Sequence, residues 1–361
     1  MLDSKTVVLD DGVQTQFSEK AATAKIVVLR NSKFNPGSDQ TMSSRVANIV
    51  VTCTKRKSVS VENCLQLGGF TGKTVDGLAT QWIRRLNETS AESLPADDLY
   101  SGDHWQIAQS LKTVADCQRV EVRLWVCSAG YGLIPSWAPV KPYSATFSTH
   151  HKDSVLRQLA PLGTDGLQEW WCKLANWQGP TPGEPRTLCD LAREAKRSPL
   201  IFVASDVYLR AVAIDLEKAR SSLVDPRLLT IVSAGGSPND ALRSNFLPCN
   251  ARLQPLLGGA LMSLNIRVVR RILSHVKQWP LRCDDLTAEF QELIDAQPEF
   301  EQPQRKPMTD ENVLQFVRRH LAQNPLLCAS PLLRQLRQSG WACEQKRFGK
   351  LFHQVRKQFH E

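Results

Sequence analysis

Four short hydrophobic runs constrain the fold of this chain most, because each run stops at a tail rich in hydroxyl groups and glycine. The runs span residues 47–51, 120–126, 200–204 and 228–232, and their tails begin at Thr52, Ser128, Ser205 and Ser233. Continuous β-branched runs of this length, separated by helical stretches, are typical of strands buried in a mainly parallel sheet. Ligands of such sheets bind beyond the carboxyl ends of the strands, so we expect the four tails to converge on one site. The alternative is that Ser and Gly only make strand-to-helix turns.

The composition is that of an ordinary globular protein. The chain has 361 residues, of which 42% are hydrophobic and 22% are charged. It is long enough for one large domain and a smaller one. No apolar run approaches the roughly 18 residues of a membrane span, and the first residues, MLDSKTVVLDDG, lack the pattern of a secretory signal. We therefore expect no membrane partner and a cytoplasmic location, while the oligomeric state is left open.

The ten cysteines are spread from Cys53 to Cys343 without a CxxC pair. This spacing predicts neither a structural zinc site nor disulfides, and free cysteines are usually small buried hydrophobes. Cys53 and Cys127 stand at predicted strand ends, where a nucleophile is an alternative to core packing. We expect no metal and no cofactor.

The predicted organisation is an N-terminal extension at 1–45, an α/β catalytic domain at 46–296, a linker at 297–307 and a basic helical domain at 308–361. Residues 25–30 are an additional edge-strand candidate. Helices of the body are predicted at 75–86, 103–115, 165–175, 206–223, 256–276 and 284–296. Asp103, Asp165 and Asp206 are predicted to cap three of them. Proline and charge mark the linker as a domain boundary.

The C-terminal domain carries most of the formal net charge of +9, since residues 303–361 contain eleven Lys or Arg against four Asp or Glu. Helices are predicted at 309–323, 330–338 and 344–358, and the short turn at 339–343 gives helix-turn-helix spacing. A basic module of this kind is typical of a phosphate-backbone binder. The alternative is a small bundle with a solvated basic face. The candidate DNA-binding residues are Arg334, Arg337, Lys346, Arg347, Lys350, Arg356 and Lys357.

The loops that follow the predicted strands hold the residues suited to chemistry. Lys55-Arg56-Lys57 follows the first strand and is suited to anion binding. The stretches 128–135, 142–147 and 150–155 carry aromatics, histidines and carboxylates, with little sign of helix or strand. Long loops of this kind beside a sheet edge are usually functional.

The order of four motifs resembles the YaaA-related α/β proteins. The motifs are TCTKRK at 52–57, DDLYSG at 97–102, CSAGYGL at 127–133 and PY at 142–143, with weaker support from LGGALMSLNIR at 257–267. These proteins occur beside base-modification and phage-defence genes. The set is similar to anti-phage DNA glycosylases that remove modified pyrimidines and to the deazaguanine DNA transglycosylase group. The resemblance covers about residues 46–155 and excludes the basic tail.

What the resemblance implies is removal of a modified base, possibly a glucosylated pyrimidine, from double-stranded foreign DNA. Such cleavage needs a carboxylate against an oxocarbenium-like state, a donor for the leaving base and an aromatic wall for the flipped base. The candidate catalytic residues are Asp153, Asp98 and Tyr143. The candidate residues of the base, sugar or phosphate pocket are Thr54, Lys55, Lys57, Tyr100, Ser128, Tyr131, His150 and His151.

Each assignment has a simpler alternative. Asp153 is also suited to capping a helix at 154–159, Asp103 to capping its own helix, and Asp98 to pairing with Arg56. The histidine pair fits an exposed loop equally well. For the whole chain the alternatives are a non-catalytic DNA-binding stress or defence protein and a base-exchanging transglycosylase. Because Lys55 and Lys57 stand in a charged run that water should surround, we expect hydrolysis that leaves intact abasic sites.

Overall fold

The computed structural model describes residues 7–8, 14–15, 45–162, 166–234, 240–299 and 304–358. The chain divides into two units, Met1–Ser43 and Ser44–Glu361. In the first unit the strands Val7–Val8 and Gln14–Thr15 pair antiparallel. The edge strand predicted at 25–30 lies outside the described residues.

A six-stranded sheet organises the second unit. Its strands are β1 Val46–Thr52, β2 Glu121–Ser128, β3 Gly132–Pro135, β4 Leu200–Val203, β5 Leu229–Val232 and β6 Phe246–Leu247. The order is β6-β5-β4-β1-β2-β3, and every pairing is parallel except that of β2 with β3. The prediction of a mainly parallel sheet is therefore confirmed, and the four hydrophobic runs become β1, β2, β4 and β5.

The central residues of the strands are mainly apolar on both faces, and helices cover them. Ile49, Val50 and Val51 are all fully buried in β1. Burying a side chain of this size contributes about 1.5–3 kcal/mol, so a run without polar positions is stable only in the centre of a layered fold. Helices α1 to α10 are Val75–Glu88, Ala96–Leu99, Asp103–Asp116, Val155–Leu159, Leu167–Asn176, Leu188–Glu194, Asp206–Ser222, Gln254–Leu257, Leu264–Ser274 and Cys283–Asp295.

The helix predictions are confirmed for α1, α3, α5, α7 and α10, with ends that shift by a few residues. The predicted caps are wrong in detail. Asp103 and Asp206 are the first residues inside α3 and α7, and the cap positions are Gly102 and Ser205. Asp165 lies outside the described residues.

The prediction of one long helix at 256–276 is wrong. Gly258 and Gly259 adopt φ angles of 69° and 72°, which end α8, and α9 begins only at Leu264. A Cβ on Gly259 would lie 2.3 Å from the guanidinium of Arg267. Glycine is required there for both reasons. The sequence interpretation also missed β3, whose residues were assigned to a functional loop.

Three helices form the C-terminal part, as predicted: α11 Asp310–Gln323, α12 Ala329–Gln338 and α13 Gln345–Gln358. Thr309 caps α11 by accepting a hydrogen bond from Asn312 N at 3.4 Å. Trp341–Ala342, between α12 and α13, pairs in parallel with Lys306–Pro307. These helices have a hydrophobic core that shares no residue with that of the body.

Every cysteine of the chain is a free thiol. Among the described residues no group of three or more His, Cys, Asp or Glu side chains is arranged to hold a metal ion. Within the same residues, no helix has both the length and the apolar character needed to cross a bilayer.

Candidate active site

The polar tails of β1, β2, β4 and β5 leave the same edge of the sheet, because these strands are parallel neighbours. Cys53 N donates to Cys127 O at 3.1 Å just beyond β1, and Ala204 N donates to Val232 O at 3.2 Å just beyond β4. The loops that follow therefore start side by side. We call this the carboxyl edge.

Lys57 is enclosed at the carboxyl edge. Its ammonium lies 4.7 Å from the ring centroid of Tyr100 and 4.8 Å from that of Tyr143, and it donates to the backbone oxygen of Thr54. Burial lowers the pKa of Lys57 to about 8, and the electrostatic effect of Cys53, which raises this pKa, is smaller. Lys57 is thus half-buried, with less water around it than the sequence predicted. Lys55, by contrast, is exposed.

Three tyrosines form the floor beneath Lys57. Tyr143, Tyr100 and Tyr131 are 0%, 2% and 3% exposed. The Tyr143 hydroxyl lies 2.9 Å from that of Tyr100 and 2.6 Å from Ser128 Oγ, and its ring meets the Tyr131 ring edge-on at 5.0 Å. Burial raises the pKa of all three phenols, so they stay neutral. They do not form the open wall for a base that the sequence predicted.

Ser128 shapes the turn after β2. Its hydroxyl accepts hydrogen bonds from Gly130 N at 3.2 Å and Tyr131 N at 3.0 Å. Two buried indoles hold the same turn, since Trp82 donates to Gly130 O at 2.8 Å and Trp170 to Ala129 O at 2.9 Å. The turn thus positions Tyr143 through packing as well as through hydrogen bonds.

Gly130→Ala should destabilise the protein, because the added Cβ would lie 2.4 Å from the Tyr143 ring. Overpacking of this kind costs about 1–3 kcal/mol. Urea unfolding followed by far-UV circular dichroism measures the change in the free energy of unfolding. The matched control is Gly349→Ala inside α13, where no neighbouring atom lies within 4 Å of the new Cβ and a gain of about 0.5–1 kcal/mol is expected. Equal stability of the two variants would contradict the close packing at Gly130.

Asp153 connects loops beneath the carboxyl edge. It is 1% exposed, and its carboxylate accepts from Gly68 N at 2.9 Å and from the Ser144 hydroxyl at 2.6 Å. The alternative of Asp153 as a helix cap is wrong, since Ser154 caps α4 by accepting from Arg157 N. Its catalytic role stays a prediction, and burial gives it a structural role in addition.

Two substitutions separate these roles of Asp153. Asp153→Ala leaves Gly68 N and the Ser144 hydroxyl without their acceptor, so the free energy of unfolding should fall by about 1–3 kcal/mol. Asp153→Asn keeps an oxygen for Gly68 and should unfold closer to wild type. Thermal unfolding of both variants provides the comparison. A loss of activity in Asp153→Asn without a loss of stability would favour catalysis over structure.

His151 can serve as a neutral hydrogen-bond donor. Its Nδ1 accepts a hydrogen bond from Asp153 N at 3.1 Å, so the proton of the neutral ring sits on Nε2. Burial lowers the pKa of His151, and the positive charges of Lys55, Lys152 and Lys346 lower it further. His150 is exposed.

The remaining carboxylate candidates differ in their contacts. Asp98 is exposed and makes no ion pair with Arg56 within the described ranges, while its backbone oxygen accepts from Ser58 Oγ at 2.7 Å. Asp103 pairs with Arg267 at 3.0 Å. A hydrogen bond from Ser263, together with Arg267, holds the pKa of Asp103 below its usual value.

The sequence interpretation missed two residues of this edge. The Tyr208 hydroxyl, in the first turn of α7, lies 3.3 Å from Cys53 Sγ. His104, in the first turn of α3, has a buried Nε2 without a hydrogen-bond partner among the described residues, and burial lowers its pKa to about 4. Nothing in a single sequence separates such residues from ordinary first-turn side chains.

No protein-family model matches this chain, and no curated protein or solved structure is detectably similar to it. The resemblance to YaaA-related proteins therefore depends on the motifs alone. Fold and site together define a mixed α/β protein with a mainly parallel sheet and a lysine enclosed by tyrosines at its carboxyl edge.

Proposed function

We propose that this chain is a DNA glycosylase that removes a modified base from double-stranded foreign DNA. The observation that carries the proposal is the enclosed Lys57 amine at the carboxyl edge, where ligands of parallel sheets bind. Enzymes that attack an electrophilic carbon with an amine use a lysine whose pKa is lowered by burial. Lys57 and the tyrosines around it belong to the motifs that resemble those of base-removing enzymes.

In the proposed step the neutral Lys57 amine attacks C1′ of the sugar. The N–C1′ bond forms as the glycosidic bond breaks, and the base leaves with that electron pair while His151 Nε2–H donates a hydrogen bond to it. The amine nitrogen loses a proton, which passes through water to the departed base, and opening of the sugar ring gives an imine that water hydrolyses to the abasic site. Asp98 is our candidate for balancing positive charge on the sugar. This covalent route replaces the hydrolysis expected from a solvated lysine.

The charges around His151 suggest where the DNA backbone lies. Lys55 and Lys152 belong to the loops of the carboxyl edge, whereas Lys346 belongs to the first turn of α13, and all three act on the same imidazole. In our proposal α12 and α13 dock as a helix-turn-helix while the base enters the carboxyl edge. The exposed cations of these helices are Arg334, Lys346, Lys350 and Lys357.

The other three basic candidates already have partners within the protein. Arg337 donates to Cys343 O at 2.9 Å, Arg347 pairs with Asp310, and Arg356 lies over the Phe352 ring at 5.9 Å. Their substitution would disturb the helices as well as any contact with DNA. The four exposed cations are therefore the better tests of docking.

An exposed apolar tip adjoins the carboxyl edge. Met262 is 96% exposed and Leu261 is 43% exposed, and Ala260 separates them from the glycine pair that interrupts the helices. The next residue, Ser263, contacts Asp103, and Asn265 donates to Ala204 O at 3.1 Å beyond β4. Apolar side chains inserted between base pairs are a known means of extruding a base. We assign to Met262 the role of the side chain that inserts between base pairs and extrudes the base.

The proposal is tested with DNAs that carry different modified bases. Mass spectrometry should detect a released free base from at least one of them, together with abasic sites revealed by alkali. A supplied free base that becomes incorporated would instead indicate a transglycosylase. Salt-sensitive DNA binding without release of any base would favour the non-catalytic alternative and contradict the glycosylase.

A further inference from the structure

A cavity of about 460 Å³ lies near the amino-terminal halves of β1 and β2, at the opposite end of these strands from Lys57. Because β3 runs antiparallel to β2, the chain leaving β3 passes this end, where Ser136 N donates to Leu124 O at 2.9 Å. The other walls are Trp137, the end of α6 and Glu184. A cavity of this volume is of the size that holds a small molecule.

Two carboxylates in the lining have no cation to balance them. Glu184 and Glu194 make no ion pair in the part of the chain that the structure describes. The basic residues of the lining are already engaged, since Lys112 pairs with Asp97 at 3.4 Å and Arg123 with Glu121 at 3.0 Å. Burial raises the pKa of Glu194, and the charges of Glu184 and Asp190 raise it further. The cavity is thus locally acidic within a basic protein.

Two further side chains point to a ligand. Trp137 is 55% exposed at the cavity, where the face of an indole can receive a cation. Asn48 is 2% exposed, and its Oδ1 accepts from Trp125 Nε1 at 3.2 Å. The Asn48 amide nitrogen has no hydrogen-bond partner among the described residues. Asn48 belongs to the cavity lining. The nitrogen is therefore available to a ligand acceptor.

We propose that this cavity binds a small organic cation, an ammonium or guanidinium group on an aliphatic stem that also carries a hydrogen-bond acceptor. The cation lies between the two carboxylates and the face of Trp137. The acceptor receives a hydrogen bond from the Asn48 amide nitrogen. This site is independent of the carboxyl edge and of DNA.

Isothermal titration calorimetry of the full chain tests the site with N-acetyl-arginine amide. The matched control ligand is N-acetyl-citrulline amide, which replaces the guanidinium with a neutral group of nearly the same shape. We expect the arginine probe to bind at least about tenfold more tightly than the citrulline probe. Glu194→Gln and Glu184→Gln should each weaken binding of the arginine probe by a similar factor. Glu92→Gln, an exposed glutamate outside the cavity lining, should leave it unchanged.

Trp137 gives a second, independent readout. Trp137→Phe keeps an aromatic face and should bind more tightly than Trp137→Ala. Trp137 is exposed, so we expect both variants to fold. Absence of binding to the wild-type protein at about 10 mM probe would overturn the proposal. Equal binding of the two probes would overturn it too, as would undiminished binding by the double variant Glu184→Gln, Glu194→Gln.

Discussion

Lys57→Arg should abolish base release, with a single-turnover rate lowered on the order of 10³-fold or more. Arginine keeps the positive charge beside Tyr100 and Tyr143, but its guanidinium stays protonated and cannot attack the sugar. DNA affinity should therefore change little. The measurement is release of free base under enzyme excess, beside binding by fluorescence anisotropy. The matched control is Lys55→Arg in the same loop, which should retain wild-type turnover because Lys55 is exposed.

The rate of base release should also depend on pH. The amine attacks only when neutral, and with a pKa of about 8 roughly a tenth of Lys57 is neutral at pH 7. The rate should rise from pH 6 and level off above pH 8. The same lowered pKa makes protonated Lys57 unfavourable in the folded state, so its cost to stability is full below pH 8 and disappears as the pH approaches the ordinary lysine value.

Borohydride separates the covalent and hydrolytic routes. Reduction of the imine should trap a protein–DNA adduct that is absent with Lys57→Arg. Base release without trapping, at a rate that Lys57→Arg leaves intact, would return the mechanism to hydrolysis and to the carboxylates. Loss of trapping in Lys55→Arg instead would move the nucleophile to the exposed lysine.

The triple variant Lys346→Ala, Lys350→Ala, Lys357→Ala should bind DNA with a flatter dependence on salt. All three side chains are exposed on α13. Each lost phosphate contact should lower the slope of log K against log salt by roughly one unit, and affinity should fall uniformly across sequences. Anisotropy titrations at several salt concentrations measure the slope.

The matched control removes the same charge elsewhere. Lys196, Arg197 and Lys218 are exposed on the body, outside α13. Their joint replacement by Ala should leave the salt slope within the error of the wild-type value. If both triple variants reduce the slope equally, binding follows net charge and α13 is not the docking helix.

The sequence predicted the sheet well because burial on both faces leaves a local trace. Ile49, Val50 and Val51 need no information from distant residues to indicate a central strand. β3 was missed because Gly132 to Pro135 reads as a turn sequence, and its extended conformation depends on pairing with β2. The prediction of one long helix at 256–276 was wrong because Gly258 and Gly259 were interpreted as a helix start. Their positive φ angles place them at a helix end.

The sequence placed several residues of the candidate site in one region, but it did not predict their geometry. The motifs located Lys57, Tyr100, Ser128 and Tyr143 in one region, and the structure brings them together. Their solvent exposure could not be predicted, because it depends on contacts across more than forty positions, such as that between Tyr100 and Tyr143. The environment of Lys57 reversed our expectation for this reason.

The two separate hydrophobic cores have a consequence for how the protein melts. Phe348 and Leu336 stabilise the C-terminal helices, and among the described residues no buried side chain belongs both to their cluster and to that of the sheet. Cooperativity is transmitted through shared packing, so unfolding should occur in two steps and a single melting temperature would not describe it. A modest rise in temperature should then melt α11 to α13 while the sheet remains intact, and under the proposed function this melting would release DNA.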